Sequence, residues 1–599
     1  LDWTGQETFS GRYIITHEYP VPTNWRHNLA AEGIICDSFM PPNGFNCQLQ
    51  EVTINQLADL SVQGISKLDS VDKMRSDLAL ALDDNGELII DVVLTGYDLP
   101  SDILTREDIQ LLSHSSRFAT LKTGISGVTW LALQDEIEWL EEKPIAAILN
   151  SVANTIINSD DVRDNLKMAG LDGSWSGLDG SGITVTVGDT GLDSGTNDAT
   201  MHPDFSDHIL GIYSWPIPFN RCSWNSPSDP GPCDDGAEDD HGHGTHVAGS
   251  VLGDGTASGG SVMGIAPEAQ LLVHAFQQSG GLGGIPDDLQ DMFDVAVENG
   301  STIHTNSWGS CDRPSLSAPC NNFGRYTAAS MQIDMGAITH KQLVIMFANG
   351  NDGDDYDGNG EIDEASLLWE ASAKNAISIG ASENYRPSRG GFADNAEGMA
   401  DFSGRGPTDD GRTKPDFVAP GTHIYSTKSR YSGPAASSCG WGSDSAVTDY
   451  CYMGGTSMAT PIAAGATALL LEHLIENVGL TDPTSYLVKA ILGASTSDMA
   501  GQYGSPTNGA GEAIPNMHEG NGRLNMYSAV QTSFVHNESL STTDDRGWSF
   551  NLPAGAHDLQ LALAYADPAA TPGVSPYLVN DLDLSVTDPT GTVHNLNDN

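Results

Sequence analysis

The stretch ITVTVGDTG at residues 183–191 decides the fold of this chain. Its first five residues form an apolar, β-branched run, which is typical of a strand buried on both faces of a parallel sheet. Similar runs occur at residues 270–274 and 343–347, and helical patterns occur at 292–298 and 460–475. Because such strands alternate with helices, the sequence predicts an α/β fold with a mainly parallel sheet.

The same strand ends in a carboxylate, and three other segments carry groups that complement it. Asp189 follows the strand, HGTHVAG begins at His243, GTSMATP contains Ser457 before a helix-forming run, and GNDG contains Asn351. A serine nucleophile needs a base, the base needs an orienting carboxylate, and the developing oxyanion needs donors. Together the four segments predict acyl-transfer chemistry on a peptide bond.

The order Asp, His, Ser and its local motifs resemble the subtilisin family of serine peptidases over roughly residues 160–527. HTNSWG at 304–309 and LVNDLDL at 578–584 resemble secreted alkaline subtilases with a C-terminal β-sandwich in particular. The resemblance implies a subtilisin-like fold. It also implies four roles: Asp189 orients the base, His243 is the base, Ser457 is the nucleophile and Asn351 is an oxyanion donor.

Neighbouring residues compete for two of these roles. His246 follows His243 by one helical turn and is interpreted as structural, whereas His241 is expected at the rim of the site. Asp193 competes with Asp189, and we expect it to stabilise the turn after the strand. Ser457 and Asn351 also have purely structural interpretations, as a helix cap and a turn residue.

The family resemblance further implies that substrate binds as an added extended strand between two walls. Glycine-rich walls leave main-chain groups free to pair with substrate, which predicts broad specificity. The residues expected in these walls are Ser307, Trp308 and Gly309 on one side, and Gly280, Gly281 and Leu282 on the other.

Residues 1–154 are predicted to contain one small α/β unit twice, at 1–80 and 81–154. The expected order in each copy is strand, helix, two strands and helix. The resemblance implies a duplicated propeptide that chaperones and inhibits the catalytic domain at 155–532; an ordinary binding domain is the alternative. In copy 1 the elements are strand 13–15, helix 25–31, strands around Cys36 and Cys47, and helix 54–60; in copy 2 they are strand 88–93, helix 106–112, strand 128–133 and helix 135–142.

The last part of the chain, residues 533–599, is predicted to be an all-β sandwich. Residues 548–552, 559–565 and 582–586 alternate between apolar and polar side chains and are separated by turn residues. This length is short for a sandwich, so we expect the native protein to continue beyond residue 599.

The charge balance limits the possible partners. The chain has 80 acidic and 26 basic residues, a formal net charge of −54, and only 10 of the basic residues are lysine. Nucleic acids and anionic membranes would be repelled, and no apolar run is long enough to cross a bilayer. A densely acidic, lysine-poor surface suits solubility at high ionic strength, so we expect a salty or marine habitat; an ordinary acidic secreted enzyme is the alternative. The predicted protein is a secreted monomer that acts on peptides.

Eight cysteines fall into four close couples, which indicates disulfides and an oxidising compartment. Structural zinc is the disfavoured alternative, because no CxxC spacing or nearby histidine pair accompanies them. Each loop of about ten residues would contribute roughly 2–3 kcal/mol of stability. The expected pairs are Cys36 with Cys47, Cys222 with Cys233, Cys311 with Cys320, and Cys439 with Cys451.

The segment after Asn351 matches a calcium-binding loop of the EF-hand type, except that Ser366 occupies its last ligand position. A solvated acidic loop is the alternative. A second acidic run, residues 234–240, lacks spaced ligands and is expected at the surface. The candidate calcium ligands are Asp355, Asp357, Asn359, Glu361 and Asp363.

The sequence thus predicts a secreted subtilisin-like serine endopeptidase made as a zymogen. The alternative is a non-catalytic secreted binding protein on the same scaffold.

Overall fold

The chain divides into two compact units, Leu1–Ala146 and Ala147–Asn599. The structure is a computed structural model that describes residues 8–18, 21–22, 24–40, 43–67, 70–74, 87–95, 98–115, 118–142, 151–163, 177–217, 236–277, 282–312, 320, 322–355, 362–431, 439–442, 448–499, 513–541, 544–552, 559–573 and 575–596.

The N-terminal unit contains two four-stranded antiparallel sheets with the same spatial order, β2-β3-β1-β4 and β6-β7-β5-β8. The recurrence of this order is what a repeated unit requires. The first copy consists of β1 (Thr8–Thr16), α1 (Trp25–Ala31), β2 (Ile35–Met40), β3 (Gly44–Thr53), α2 (Ile54–Asp59) and β4 (Gly64–Ser66). The second consists of β5 (Glu87–Leu94), β6 (Ile109–Ser115), β7 (Phe118–Gly124), α3 (Ile125–Ala132) and β8 (Ile137–Glu142).

Three elements predicted for the second copy are wrong. The expected helix at 106–112 is largely strand β6, the expected strand at 128–133 is helix α3, and the expected helix at 135–142 is strand β8. In α3 the buried residues Val128, Leu131 and Ala132 share one helical face. Packing of that face against the sheet overrides the strand preference of the local sequence.

The second unit is built around a seven-stranded parallel sheet of order β10-β11-β9-β12-β13-β14-β15, which confirms the predicted α/β fold. Its elements up to the sheet's last strand are α4 (Ser151–Ile156), α5 (Ser159–Arg163), β9 (Thr184–Asp189), β10 (Ile209–Ser214), α6 (His243–Leu252), β11 (Gln270–Ala275), α7 (Gln290–Glu298), β12 (Ile303–Asn306), α8 (Ala328–Thr339), β13 (Val344–Ala348), β14 (Ile377–Ser382) and β15 (Phe417–Pro420). They are followed by β16 (Ile424–Thr427), β17 (Tyr450–Met453), α9 (Thr456–Glu472), α10 (Ser485–Gly493), α11 (Met526–Ala529), β18 (Ser585–Thr587) and β19 (Val593–Asn595).

Helix α9 is the central helix of this unit and is buried along almost its whole length. Contrary to the expectation from the sequence, this helix and the π-helical turn that follows it form a segment, Thr456–Asn477, that is long and apolar enough to cross a membrane. However, 89% of the apolar stretch of this segment is buried inside the protein, as expected for a core helix. Since β9, β12 and β13 are parallel neighbours, the segments after them lie at one edge of the sheet, near the start of α9.

The C-terminal part of the chain differs from the predicted sandwich. Among its described residues only β18 and β19 pair, and residues 548–552 and 559–565 form no strand. Trp548 and Phe550 are 55% and 54% exposed. The alternation predicted a buried face, but no described strand covers it. The segment is instead anchored through Asp567, which is buried and accepts a hydrogen bond from Lys374 Nζ at 2.5 Å.

The disulfide predictions have three outcomes. Cys36–Cys47 and Cys311–Cys320 are bonded, while Cys222 and Cys233 lie outside the described residues. The prediction of a Cys439–Cys451 disulfide is wrong for this structure, in which both are free thiols. The neighbouring Cys451 thiol lowers the pKa of Cys439 to about 7.

Candidate active site

Asp189 is the last residue of β9, and the strand's burial carries its carboxylate into the protein, where it is 2% exposed. Asp189 Oδ1 accepts a hydrogen bond from its neighbour Thr190 N at 2.7 Å and lies 2.7 Å from His243 Nδ1. A buried carboxylate in this position fixes the tautomer of an imidazole and stabilises its protonated form.

His243 is the first residue of α6, and Gly242 before it has a φ of 84°, which favours glycine. Burial alone lowers the pKa of His243, but the charges of Asp189 and Asp239 outweigh it and the net pKa is raised. The other two histidines of the segment differ. His246 is buried, its Nε2 lies 3.1 and 3.2 Å from two carbonyl oxygens, and burial lowers its pKa to about 3. His241 is exposed, with its ring centre 6.0 Å from that of His243.

Ser457 is the second residue of α9, where backbone N–H groups and the helix dipole favour negative charge. Its Oγ donates to Ser307 O at 3.0 Å, and Ser307 Oγ donates to Ser457 O at 2.8 Å. Among the described residues, Ser457 and His243 are not hydrogen-bonded to each other. Ser457 Oγ would have to rotate away from Ser307 O in order to donate to the His243 imidazole.

Asn351 is held by the residue directly before Ser457. Its Oδ1 accepts from Thr456 N at 2.7 Å and from Thr456 Oγ1 at 3.0 Å, while Thr456 Oγ1 accepts from Gly350 N at 3.2 Å. These bonds occupy the amide oxygen and leave the Nδ2 hydrogens for another acceptor. Thr456 was not identified from the sequence, and its position one residue before the predicted nucleophile was the available signal.

The predicted substrate walls are only partly described, because Gly280 and Gly281 lie outside the described residues. Trp308 Nε1 donates to Gly188 O at 3.0 Å, which fixes this wall beside β9. A Cβ atom added to Gly309 or to Gly350 would lie 2.8 Å from the side chain of Leu368. Leu368 therefore fills the space between these two glycines. On the other wall, Leu282 is partly buried against the cluster that includes Trp308.

Comparison with known proteins now places the chain in a family. The sequence profile described as Peptidase_S8, the subtilase family, matches residues 180–522, more than half of the chain.

The chain belongs to the subtilase family.

The relatives are distant in sequence. Serine protease AprX of Bacillus subtilis (strain 168) is 28% identical over 63% of this chain and 76% of its own length. Subtilisin BL of Lederbergia lenta is 29% identical over 49% of this chain and 78% of its own. The serine protease/ABC transporter B family protein tagB of Dictyostelium discoideum is 27% identical over 70% of this chain. The match spans only 24% of tagB, so this chain corresponds to about a quarter of that protein.

The subtilase's predicted calcium loop is described only at its ends, and Asp357, Asn359 and Glu361 lie outside the described residues. Asp363 N donates to Asp354 O at 2.9 Å, which brings the two ends together. Ser366 Oγ, the residue at the last ligand position, accepts from Arg405 N at 2.8 Å. The described residues contain no group of three or more side chains that could hold a metal ion.

Two acidic residues have locations that bear on the sequence predictions. Asp193, the competitor of Asp189, is fully buried and accepts from Arg430 N at 2.5 Å in the turn after β9. Asp239 belongs to the acidic run expected at the surface, yet it is fully buried. That expectation is wrong for Asp239, because backbone and hydroxyl donors surround its carboxylate. Asp239 lies three residues before Gly242, the glycine directly before α6, and this spacing was the sequence signal for a helix cap.

Proposed function

We propose that the chain is a secreted serine endopeptidase that hydrolyses polypeptides through an acyl-enzyme on Ser457. The observation that carries the proposal is the 2.7 Å contact between Asp189 and His243, made by a buried carboxylate and an imidazole of raised pKa. Membership of the subtilase family supports the same reaction class.

The proposed reaction uses each group in turn. Ser457 Oγ rotates from Ser307 O, loses its proton to His243 and attacks the scissile carbonyl carbon. Asn351 Nδ2 and the backbone N–H of Ser457 donate to the resulting oxyanion. His243 then gives the proton to the leaving amine. Water, activated by the same imidazole, hydrolyses the ester and restores the serine.

Peptide hydrolysis tests this proposal. Wild-type protein is incubated with an internally quenched peptide library, and the new termini are identified by mass spectrometry. We expect cleavage within the peptides, lost in Ser457→Ala. Equal cleavage by Ser457→Ala, or none by matured wild type, would contradict the proposal.

We also propose that the N-terminal unit is an inhibitory and chaperoning propeptide that the catalytic domain removes. The support is its repeated sheet order and its position before the matched family region. Refolded wild type should acquire a new N-terminus near residues 149–154, and Ser457→Ala should keep the full chain. If Ser457→Ala matures unaided, an outside protease does the cutting.

Calcium is the proposed ion of the loop between Asp355 and Asp363, because the carboxylate and amide oxygens in its sequence suit a hard cation. Bound calcium would order the loop directly after Asn351. Chelation should therefore lower the melting temperature of wild type, and Asp363→Ala should remove the response. A chelator-insensitive melting temperature would indicate a solvated loop.

A further inference from the structure

Asp239 is a buried carboxylate that the proposed reaction does not use. It lies four residues before His243, is 0% exposed and accepts four hydrogen bonds. Oδ1 accepts from Thr190 Oγ1 at 2.8 Å and Gly242 N at 2.7 Å. Oδ2 accepts from Thr245 N at 2.7 Å and Thr245 Oγ1 at 2.6 Å. Asp239 therefore caps the start of α6, the helix that begins with His243.

The directions of these hydrogen bonds show that the site suits an ionised Asp239 carboxylate. Thr190 Oγ1 accepts from Gly244 N at 2.8 Å, and Thr245 Oγ1 accepts from Asp193 N at 2.9 Å. Since each hydroxyl oxygen already accepts a backbone N–H, its own proton is directed to Asp239. Burial raises the pKa of Asp239, but four donors and no acceptor favour the ionised carboxylate.

The same bonds connect the two catalytic segments. Thr190 directly follows Asp189 and Gly244 directly follows His243, so the bond from Gly244 N to Thr190 Oγ1 lies beside the Asp189–His243 contact. Asp239 holds the Thr190 hydroxyl in the orientation that this bond requires. Loss of the carboxylate would free the hydroxyl and release the start of the helix together.

We propose that Asp239 is a positioning residue, which holds the Asp189 and His243 segments at contact distance and favours the imidazolium formed when His243 takes a proton. This inference rests on the proposed peptidase function for its kinetic consequences, but not for its effect on His243 itself.

Four titratable groups face His243. Asp189 contacts it, Asp239 adds a second negative charge that raises the pKa of His243, and burial works in the opposite direction. His246 is neutral near pH 7 because its pKa is about 3. His241 is exposed to solvent with its ring centre 6.0 Å from that of His243, so the high dielectric constant of water weakens any electrostatic interaction between the two rings. Besides Asp189, Asp239 is thus the group whose removal would lower the pKa of His243.

The test uses Asp239→Asn in the full chain. An amide would place its two hydrogens against existing donors, so the cap fails while the size of the side chain is kept. We expect kcat to fall by about tenfold to a hundredfold with KM nearly unchanged, and the acid limb of kcat/KM to move to lower pH.

Glu472→Gln is the matched control. Glu472 is also a buried carboxylate that accepts from two backbone groups, Asp179 N and Gly180 N, but at the far end of α9.

Glu472→Gln should reduce stability and leave kcat and the pH profile as in wild type. If Asp239→Asn behaves in the same way, Asp239 is only a structural cap and the proposal is overturned. Should Asp239→Asn fail to fold, Thr190→Val and Thr190→Ser replace it. Loss of kcat in Thr190→Val with recovery in Thr190→Ser supports the proposal, and an unaltered Thr190→Val overturns it.

An NMR titration separates this proposal from the proposed function. The pKa of the His243 imidazole is measured in Ser457→Ala, with and without Asp239→Asn. We expect Asp239→Asn to lower that pKa by about half a unit or more, whether or not the wild type hydrolyses peptides. An unchanged pKa would overturn the electrostatic role of Asp239, while absent hydrolysis by wild type would count against the peptidase proposal alone.

Discussion

Replacing Asn351 by alanine tests the proposed oxyanion site. The amide oxygen of Asn351 is held at 2.7 and 3.0 Å by Thr456, so its Nδ2 is positioned before substrate arrives. In subtilisin, loss of the corresponding donor lowers kcat by about 10²–10³-fold, or about 2.7–4 kcal/mol. We expect a loss of that size here, in kcat rather than KM, because the donor acts on charge that develops only in the transition state.

The anchor of the amide should matter less than the amide itself. Thr456→Val removes one of the two hydrogen bonds to Asn351 Oδ1 and also the acceptor of Gly350 N, while the backbone bond from Thr456 N to Asn351 Oδ1 is kept. At about 0.5–1.5 kcal/mol for one net hydrogen bond, kcat should fall about 2- to 13-fold. Thr456→Ser keeps the hydroxyl and should remain close to wild type.

Steady-state hydrolysis of one fluorogenic peptide by all four proteins provides the assay, with circular dichroism to verify folding. The expected order of kcat is wild type, Thr456→Ser, Thr456→Val and Asn351→Ala. If folded Asn351→Ala retains kcat within about threefold of wild type, Asn351 is a turn residue and the oxyanion assignment is refuted.

Three further predictions follow from the geometry. Leu368→Ala opens the space that Leu368 fills between Gly309 and Gly350. The value of kcat/KM for a peptide with Phe before the scissile bond, divided by that for a peptide with Ala there, should therefore rise about tenfold; an unchanged ratio would place Leu368 outside the substrate pocket. Because His243 must be neutral to accept a proton and its pKa is raised, kcat/KM should rise with pH through a midpoint above 6.5; a midpoint below 6 would contradict the assignment. Lys374→Met leaves the buried Asp567 carboxylate without its cationic partner and should lower the free energy of unfolding by about 3–5 kcal/mol in urea. The control Lys341→Met, at an exposed lysine, should change it by under about 0.5 kcal/mol. Equal effects of the two substitutions would refute the anchoring role.

The parallel sheet was predictable because its strands are buried on both faces, so their composition alone identifies them. The ends of those strands then placed Asp189 and Asn351 at one edge. In the second N-terminal copy the same reasoning failed at residues 128–133, where a run of β-favouring side chains is a helix that packs on its own sheet. Local composition could not reveal which face the tertiary structure would bury.

The supporting residues of the site were harder to predict than the reacting ones. Asp239 stands in a run of acids, and composition assigns such a run to the surface. Its burial depends on Thr190, which is 49 residues away in sequence. The orientation of Ser457 was also not predictable, because its hydrogen bond to Ser307 O depends on how β12 and α9 meet.

Active-site labelling with a fluorophosphonate tests most directly whether Ser457, His243 and Asp189 act together. Matured wild type should take up one equivalent of the probe on Ser457, as located by peptide mass spectrometry. Labelling should be absent in Ser457→Ala and greatly slowed in His243→Ala. If the wild type takes up no probe, or if His243→Ala reacts at the wild-type rate, the three residues do not form a working nucleophile and the peptidase account is wrong.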